Sequence, residues 1–206
     1  MNIFLKAKHW QIFLATFGLP LIFDIILFAS IFSVAAKGNA PQHILGIFAI
    51  FPVIMIVFVG VMFGWQWSVA IGLQKAIPKS LKMKVTRFKI FFFLPLAYII
   101  LILAVVGFVI SGYNFQNTQP GPWMFGLFAL IFPVHLFMIF CMFYCLYFTA
   151  KTIKTAELQR EVSFNDFVGE FFLVWFHPIG IWIIQPRINK IVQDYDDNLL
   201  QVSEIN

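Results

Sequence analysis

Residues 169–190 read GEFFLVWFHPIGIWIIQPRINK, and the number of times the chain crosses a membrane turns on them. The stretch is apolar enough to enter a bilayer, yet it carries Glu170, His177 and Arg187 and is interrupted by Pro178, Gly180 and Pro186. Upstream, Ser163-Phe164-Asn165-Asp166 has the spacing of a capping box with Asp in the acidic place, so a helix is predicted from about 164 to Phe176. His177 precedes a proline and is biased away from helical geometry. As helix, 167–176 rises about 15 Å, half the thickness of the hydrocarbon layer. A second apolar piece, 179–184, follows before Pro186. Three placements compete: a kinked fifth span, a re-entrant dip, and a bend lying in the interface. A fifth span sends Arg187 and Lys190 outside, against the positive-inside bias. The reading favoured is therefore a re-entrant or interfacial helix pair over 164–190, followed by an amphipathic tail. On that tail Ile188, Ile191, Val192, Tyr195, Leu199 and Val202 share a face, and Asp194, Asp196, Asp197 and Glu204 lie on the other.

The rest of the chain is plainer. Its 206 residues are 61% hydrophobic and 11% charged, with 28 Phe, against about 25% charged in a soluble domain. Mean hydropathy is +0.90. No stretch is left for a separate catalytic or nucleic-acid-binding domain. The net charge of +5 needs no acidic partner, because much of it sits in one loop. Four stretches approach or exceed the roughly 20 apolar residues that cross a bilayer as helix: 10–35, 44–72, 90–111 and 123–150. The first is too long for a signal-peptide core and contains Pro20 and Asp24, so it reads as an uncleaved span. Lys6 and Lys8 precede it. Lys75, Lys79, Lys82, Lys84, Arg87 and Lys89 lie between the second and third spans, and Lys151, Lys154 and Arg160 follow the fourth. The opposite connections carry only Lys37. Both termini are therefore expected in the cytoplasm. Trp10, Trp65 and Trp67 are expected in an inner aromatic belt, Tyr113 and Trp123 in an outer one.

The fold class expected is an all-α membrane protein: a four-helix bundle over 1–150, then a linker, the membrane-embedded or interfacial segment and the tail over 151–206. Each span holds one proline, and the contexts pair. LPLIFDIILFA at 19 resembles LPLAYIILILA at 94, and GIFAIFPV at 46 resembles GLFALIFPV at 126. This points to a tandem duplication, with repeats 10–75 and 89–155, of the parallel kind some transporters use. Gly60, Gly64, Ser68 and Gly72 form a small-residue stripe suited to close helix packing, within the chain or in a homodimer. Counted from the prolines, Cys141 and Cys145 fall at the positions of Gly60 and Gly64. They are read as packing residues, since two thiols supply only half of a zinc site. No metal or cofactor is expected.

Two polar sets remain. Asp24 lies 14 residues beyond Trp10 and His135 lies 16 residues before Lys151, so both fall near mid-span. Ionisable groups there face a partner or a cavity. A buried Asp24–His135 pair is expected, as a register-fixing bridge or as a proton relay. Glu170, His177 and Arg187 are the second set, an interfacial polar site. Phosphate-binding loops, nucleophile elbows and H-E-x-x-H are absent. His9, His43, His135 and His177 lie in different segments, which disfavours a bis-His haem.

EFFLVWFHPIGIWIIQPRINK, with the upstream FTAKTIKTAELQ, resembles the C-terminal part of small uncharacterised bacterial multi-pass membrane proteins, over about the last third of the chain. The resemblance implies the bacterial cytoplasmic membrane and brings no activity, substrate or site residue with it. The leading functional expectation is a non-enzymatic membrane subunit or assembly protein acting through the lipid bilayer and a membrane-protein partner. The alternatives are a small ion- or proton-coupled transporter using Asp24 and His135, and an enzyme acting on lipid at the cytoplasmic face.

Overall fold

The structure, a computed structural model, describes residues 2–37, 51–112 and 122–205. His43, Tyr113 and the start of the second expected span lie outside these residues, as do the side chains of Lys37, Trp123, Val202 and Glu204. Among the described residues all regular structure is helical. In chain order the elements are α1 (Asn2–Lys6), α2 (His9–Phe13), a π turn (Leu14–Gly18), α3 (Leu19–Lys37) and α4 (Phe51–Gly72), which ends in a 3-10 turn (Leu73–Ala76). Then come α5 (Val85–Gly112), α6 (Pro122–Leu158), α7 (Phe164–Trp175) and α8 (His177–Ile205). Four helical stretches are long and apolar enough to cross a membrane: His9–Val34, Val53–Ala76, Val85–Val105 and Ile131–Leu158.

The π turn has a local cause. Pro20 has no N–H to give the carbonyl of Thr16, and its ring crowds that carbonyl. The helix widens just before it, so that the Leu19 N–H reaches the carbonyl of Leu14, five residues back. The Thr16 hydroxyl is buried and donates to the carbonyl of Ile12.

The chain divides into two compact units: Met1–Leu81 with Thr149–Asn206, and Lys82–Phe148. The second unit holds α5 and most of α6. Its packing is aromatic: Phe88 stacks on Phe148 with ring centres 4.9 Å apart, and Tyr144 stands edge-on to Phe91 at 4.8 Å. Cys141 and Cys145, on the α6 part of this unit, are buried. The first unit holds α1 to α4, the last turns of α6, and the pair α7–α8.

In that unit α7 begins as the capping box predicts. Asp166 accepts from the N–H of Ser163 at 2.8 Å and from Arg160 at 3.1 Å. These bonds hold its carboxyl down to about 2, the backbone bond contributing most. The helix ends at Phe176, where the backbone leaves helical geometry (φ −84°, ψ 57°), and the chain turns directly into α8. One expectation fails here. Residues 179–184 are not a separate piece ahead of the tail, because α8 runs unbroken through Pro186 to Ile205. The proline costs the helix one backbone bond. Side chains on the same turns hold α8 against its neighbours.

Candidate functional site

The pair α7–α8 is a hairpin folded back on itself. Glu170 lies about 9 Å before the turn at Phe176 and Arg187 about 16 Å beyond it, at 1.5 Å per residue. Their side chains nonetheless meet at 2.6 Å. Gly180 makes the fold-back possible: a Cβ there would overlap the carbonyl oxygen of Leu173. The sequence singles out Gly180 only as an interruption; its role is close approach of two backbones.

Contacts along α8 fix how the hairpin lies beside the first span. Asp196 accepts from Lys6 at 2.9 Å. Gln185 and Asn189 reach the carbonyls of Phe4 and Ala7. Trp182 packs on His9 at 4.7 Å and Phe13 at 5.5 Å between ring centres. His177 packs on Phe17 at 6.2 Å. Following α8 backwards, its partners thus advance from Lys6 to Phe17 along the first span. From His9 to Phe17 a helix rises about 12 Å, less than half of a hydrocarbon layer. Around the turn Phe172, Trp175, Phe176, Ile179 and Ile183 are exposed.

Two polar arrangements hold this hairpin. The first centres on Gln185, which is fully buried. Trp65 Nε1 donates to its Oε1 at 2.8 Å. An indole N–H is a donor only, so the oxygen of the amide must face it. The Gln185 Nε2 then lies 2.8 Å from the Phe4 carbonyl, 3.0 Å from that of Ala7 and 2.8 Å from Asn189 Oδ1. The break between α1 and α2 leaves carbonyls without helical partners, and the two amides of α8 satisfy them. Trp65 is therefore a core residue, 2% exposed, and not part of an interfacial belt. The lone amide between Ile184 and Pro186 was the sequence signal for this seam.

The second arrangement is a ring of four charges. Arg187 is bidentate to Glu157, at 3.0 and 2.6 Å, and also bonds Glu170. Lys154 bonds Glu170 at 3.1 Å and Glu157 at 3.2 Å. Burial acts to raise the Glu170 carboxyl, but the bonds from Arg187, its own backbone and Lys154 outweigh it and hold the group below its ordinary range. Glu170 and Arg187 are thus brought together, whereas His177 is not part of their cluster. It is 2% exposed, edge-on to Trp65 at 4.7 Å, with no hydrogen-bond partner for Nε2. Burial pushes its pKa down to about 4. Lys154 and Glu157, three apart on one helix, are the members sequence reasoning left out.

The glycine stripe packs within the first unit. A Cβ on Gly64 would stand 3.0 Å from the Phe4 ring, and one on Gly72 would stand 2.6 Å from Leu5 Cδ1. Ser68 is buried, while Gly60 has open space beside it. Asp24 is exposed on α3 in the first unit. His135 is exposed on α6 in the second, where its Nδ1 lies 3.5 Å from Tyr98 Oη. Among the described residues no three His, Cys, Asp or Glu side chains gather as a metal site. The chain matches no protein-family model, no curated protein and no solved structure.

Proposed function

We propose that this is an integral protein of the bacterial cytoplasmic membrane, with both termini inside, that acts without catalysis as a subunit or assembly factor binding another membrane protein. The observation that carries the reading is Asp24. Within its own unit this carboxylate is exposed among exposed Leu21, Ile22, Ile25 and Phe28, on a helix apolar enough to span. A carboxylate at the centre of such a helix costs about 2.5–3.5 kcal/mol against lipid, so a donor from another helix covers it. The orientation is supported by the exposed Lys75, Lys79, Lys82, Lys84, Arg87 and Lys89. The exposed apolar turn of the α7–α8 hairpin suits a re-entrant placement beside the first span.

A second reading keeps Asp24 within the chain. Paired with His135, whose Tyr98 neighbour offers a further proton site, it would serve a proton-coupled transporter. One experiment separates the two. A photo-reactive residue replacing Ile25 is expected to give, in intact cells, a protein adduct of fixed mass that Asp24→Lys abolishes. Adducts to lipid alone contradict the partner reading. Proton uptake by reconstituted vesicles, lost in a folded Asp24→Asn variant, would establish the transporter instead.

A further inference from the structure

Beside the charge ring lies a cavity of about 420 Å³ whose wall includes Glu157, Arg187, Lys190, Asp194, Tyr195 and Asn198. We propose that it binds the headgroup of an ethanolamine phospholipid, a zwitterion with a phosphate and a primary ammonium. The inference goes beyond the partner reading and does not depend on it.

Charge comes first. Glu157 and Arg187 are spent on each other through a bidentate pair. Lys190 and Asp194 have no ion pair or hydrogen bond among the described residues. The cavity therefore presents one uncommitted cation and one uncommitted anion, four residues apart on α8, or about 6 Å along its axis. A purely anionic guest would face Asp194, and a purely cationic one Lys190. A zwitterion satisfies both, and a primary ammonium, unlike a quaternary one, also donates hydrogen bonds to a carboxylate such as Asp194. The anionic end is read as phosphate because the forked edge of the nearby guanidinium, the usual match for a carboxylate, is already taken by Glu157, whereas an ammonium such as Lys190 serves phosphate as a point charge. Tyr195 and Asn198 add a hydroxyl and an amide on the same wall.

Location comes second. The wall also includes Ala76 and Ala156, in the last turns of the second and fourth candidate spans. Gln159 ties those ends together by donating to the Ala76 carbonyl at 2.8 Å. A site where two spanning helices finish is at the depth of lipid headgroups. At about 30 Å³ per water, the volume is that of roughly fourteen waters, room for a headgroup with its bridging waters.

The test uses the full chain, delipidated in detergent and titrated with short-chain phosphatidylethanolamine, phosphatidylglycerol or phosphatidylcholine, with binding read by native mass spectrometry. Phosphatidylethanolamine is expected to bind at least about tenfold more tightly than the other two, a difference of about 1.4 kcal/mol. Lys190→Gln and Asp194→Asn, both exposed positions, should each lower that affinity by a similar factor without moving the lipid-free Tm. Free phosphoethanolamine should compete, as expected if the headgroup carries the recognition. Phosphatidylglycerol bound equally well, or better after Asp194→Asn, would mean a general anion patch and overturn the proposal. So would phosphatidylethanolamine binding that neither variant weakens and phosphoethanolamine does not displace.

Discussion

In the second unit Phe88 lies flat on Phe148, Tyr144 stands against Phe91, and the two thiols of α6 are buried. In the first unit one buried amide receives the Trp65 indole and reaches two backbone carbonyls, and Glu170 closes a ring of four charges with Lys154, Glu157 and Arg187. Both units contain two apolar helices with a proline in each. Dispersion between rings has no strict direction, so a pair packed that way tolerates a shift or a lost atom. A buried amide with all its partners in place tolerates neither. The contrast follows from what each unit must hold. The second closes one helix pair. The first fastens a broken N-terminus, a span and a turned-back hairpin together, and the breaks expose carbonyls that only directed donors satisfy.

The largest effect that should separate the units is Gly180→Ala. A single methyl meets the Leu173 backbone, which has no rotamer to yield. The hairpin must open, at a cost of more than about 4 kcal/mol. Detergent thermal unfolding should show a large fall in Tm and loss of the native trypsin-resistant core. Gln185→Leu comes next. It leaves the indole N–H and the Phe4 carbonyl without partners and the Ala7 carbonyl with Asn189 alone, and about 3 kcal/mol of destabilisation is expected, with faster hydrogen exchange in α1. A loss below about 0.5 kcal/mol would mean that water replaces the amide.

Acid should act on the first unit through His177. Its unfolded pKa is 6.5 and its folded value about 4, so the neutral form belongs to the folded state. The resulting stability is fully present above pH 6.5 and is lost as pH falls from there towards 4, by roughly 3 kcal/mol. Glu170, whose carboxyl is lowered in the fold, loses its contribution only below its ordinary value of 4.5. Between pH 6.5 and 4.5 the slope of Tm against pH therefore reports His177, and His177→Phe should flatten it. An unchanged slope in that variant would assign the acid sensitivity elsewhere.

The smallest effect is expected in the second unit. Cys141→Ala with Cys145→Ala removes two sulfurs from buried positions on α6 and should cost about 1–2 kcal/mol in total. Bound metal or activity lost with the double variant would contradict a packing role.

Much of this was legible in residues. Span lengths stood out because a bilayer demands about 20 apolar residues. The capping box named the start of α7, and the proline after His177 named its end. What stayed hidden depended on partners distant in sequence. A tryptophan near a span end reads as interfacial until a donor-hungry amide 120 residues away is found beside it. Pro186 reads as a break because sequence does not reveal that Gln185, Arg187 and Asn189, on the same turns, are all tied down. His177 was grouped with Glu170 and Arg187 by proximity along the chain, but it turns to Trp65 and Phe17 instead.

The central claim is that the hairpin enters beside the first span and turns back, which leaves α8 returning to the level of Lys6. Single cysteines at Lys79, Asn117 and Asp197, in a Cys141→Ala, Cys145→Ala background, test it with a membrane-impermeant thiol reagent on intact cells and on inverted vesicles. Asp197 should react from the same side as Lys79 and from the side opposite to Asn117. Asp197 reacting together with Asn117 would mean that 164–190 crosses, and would contradict the account.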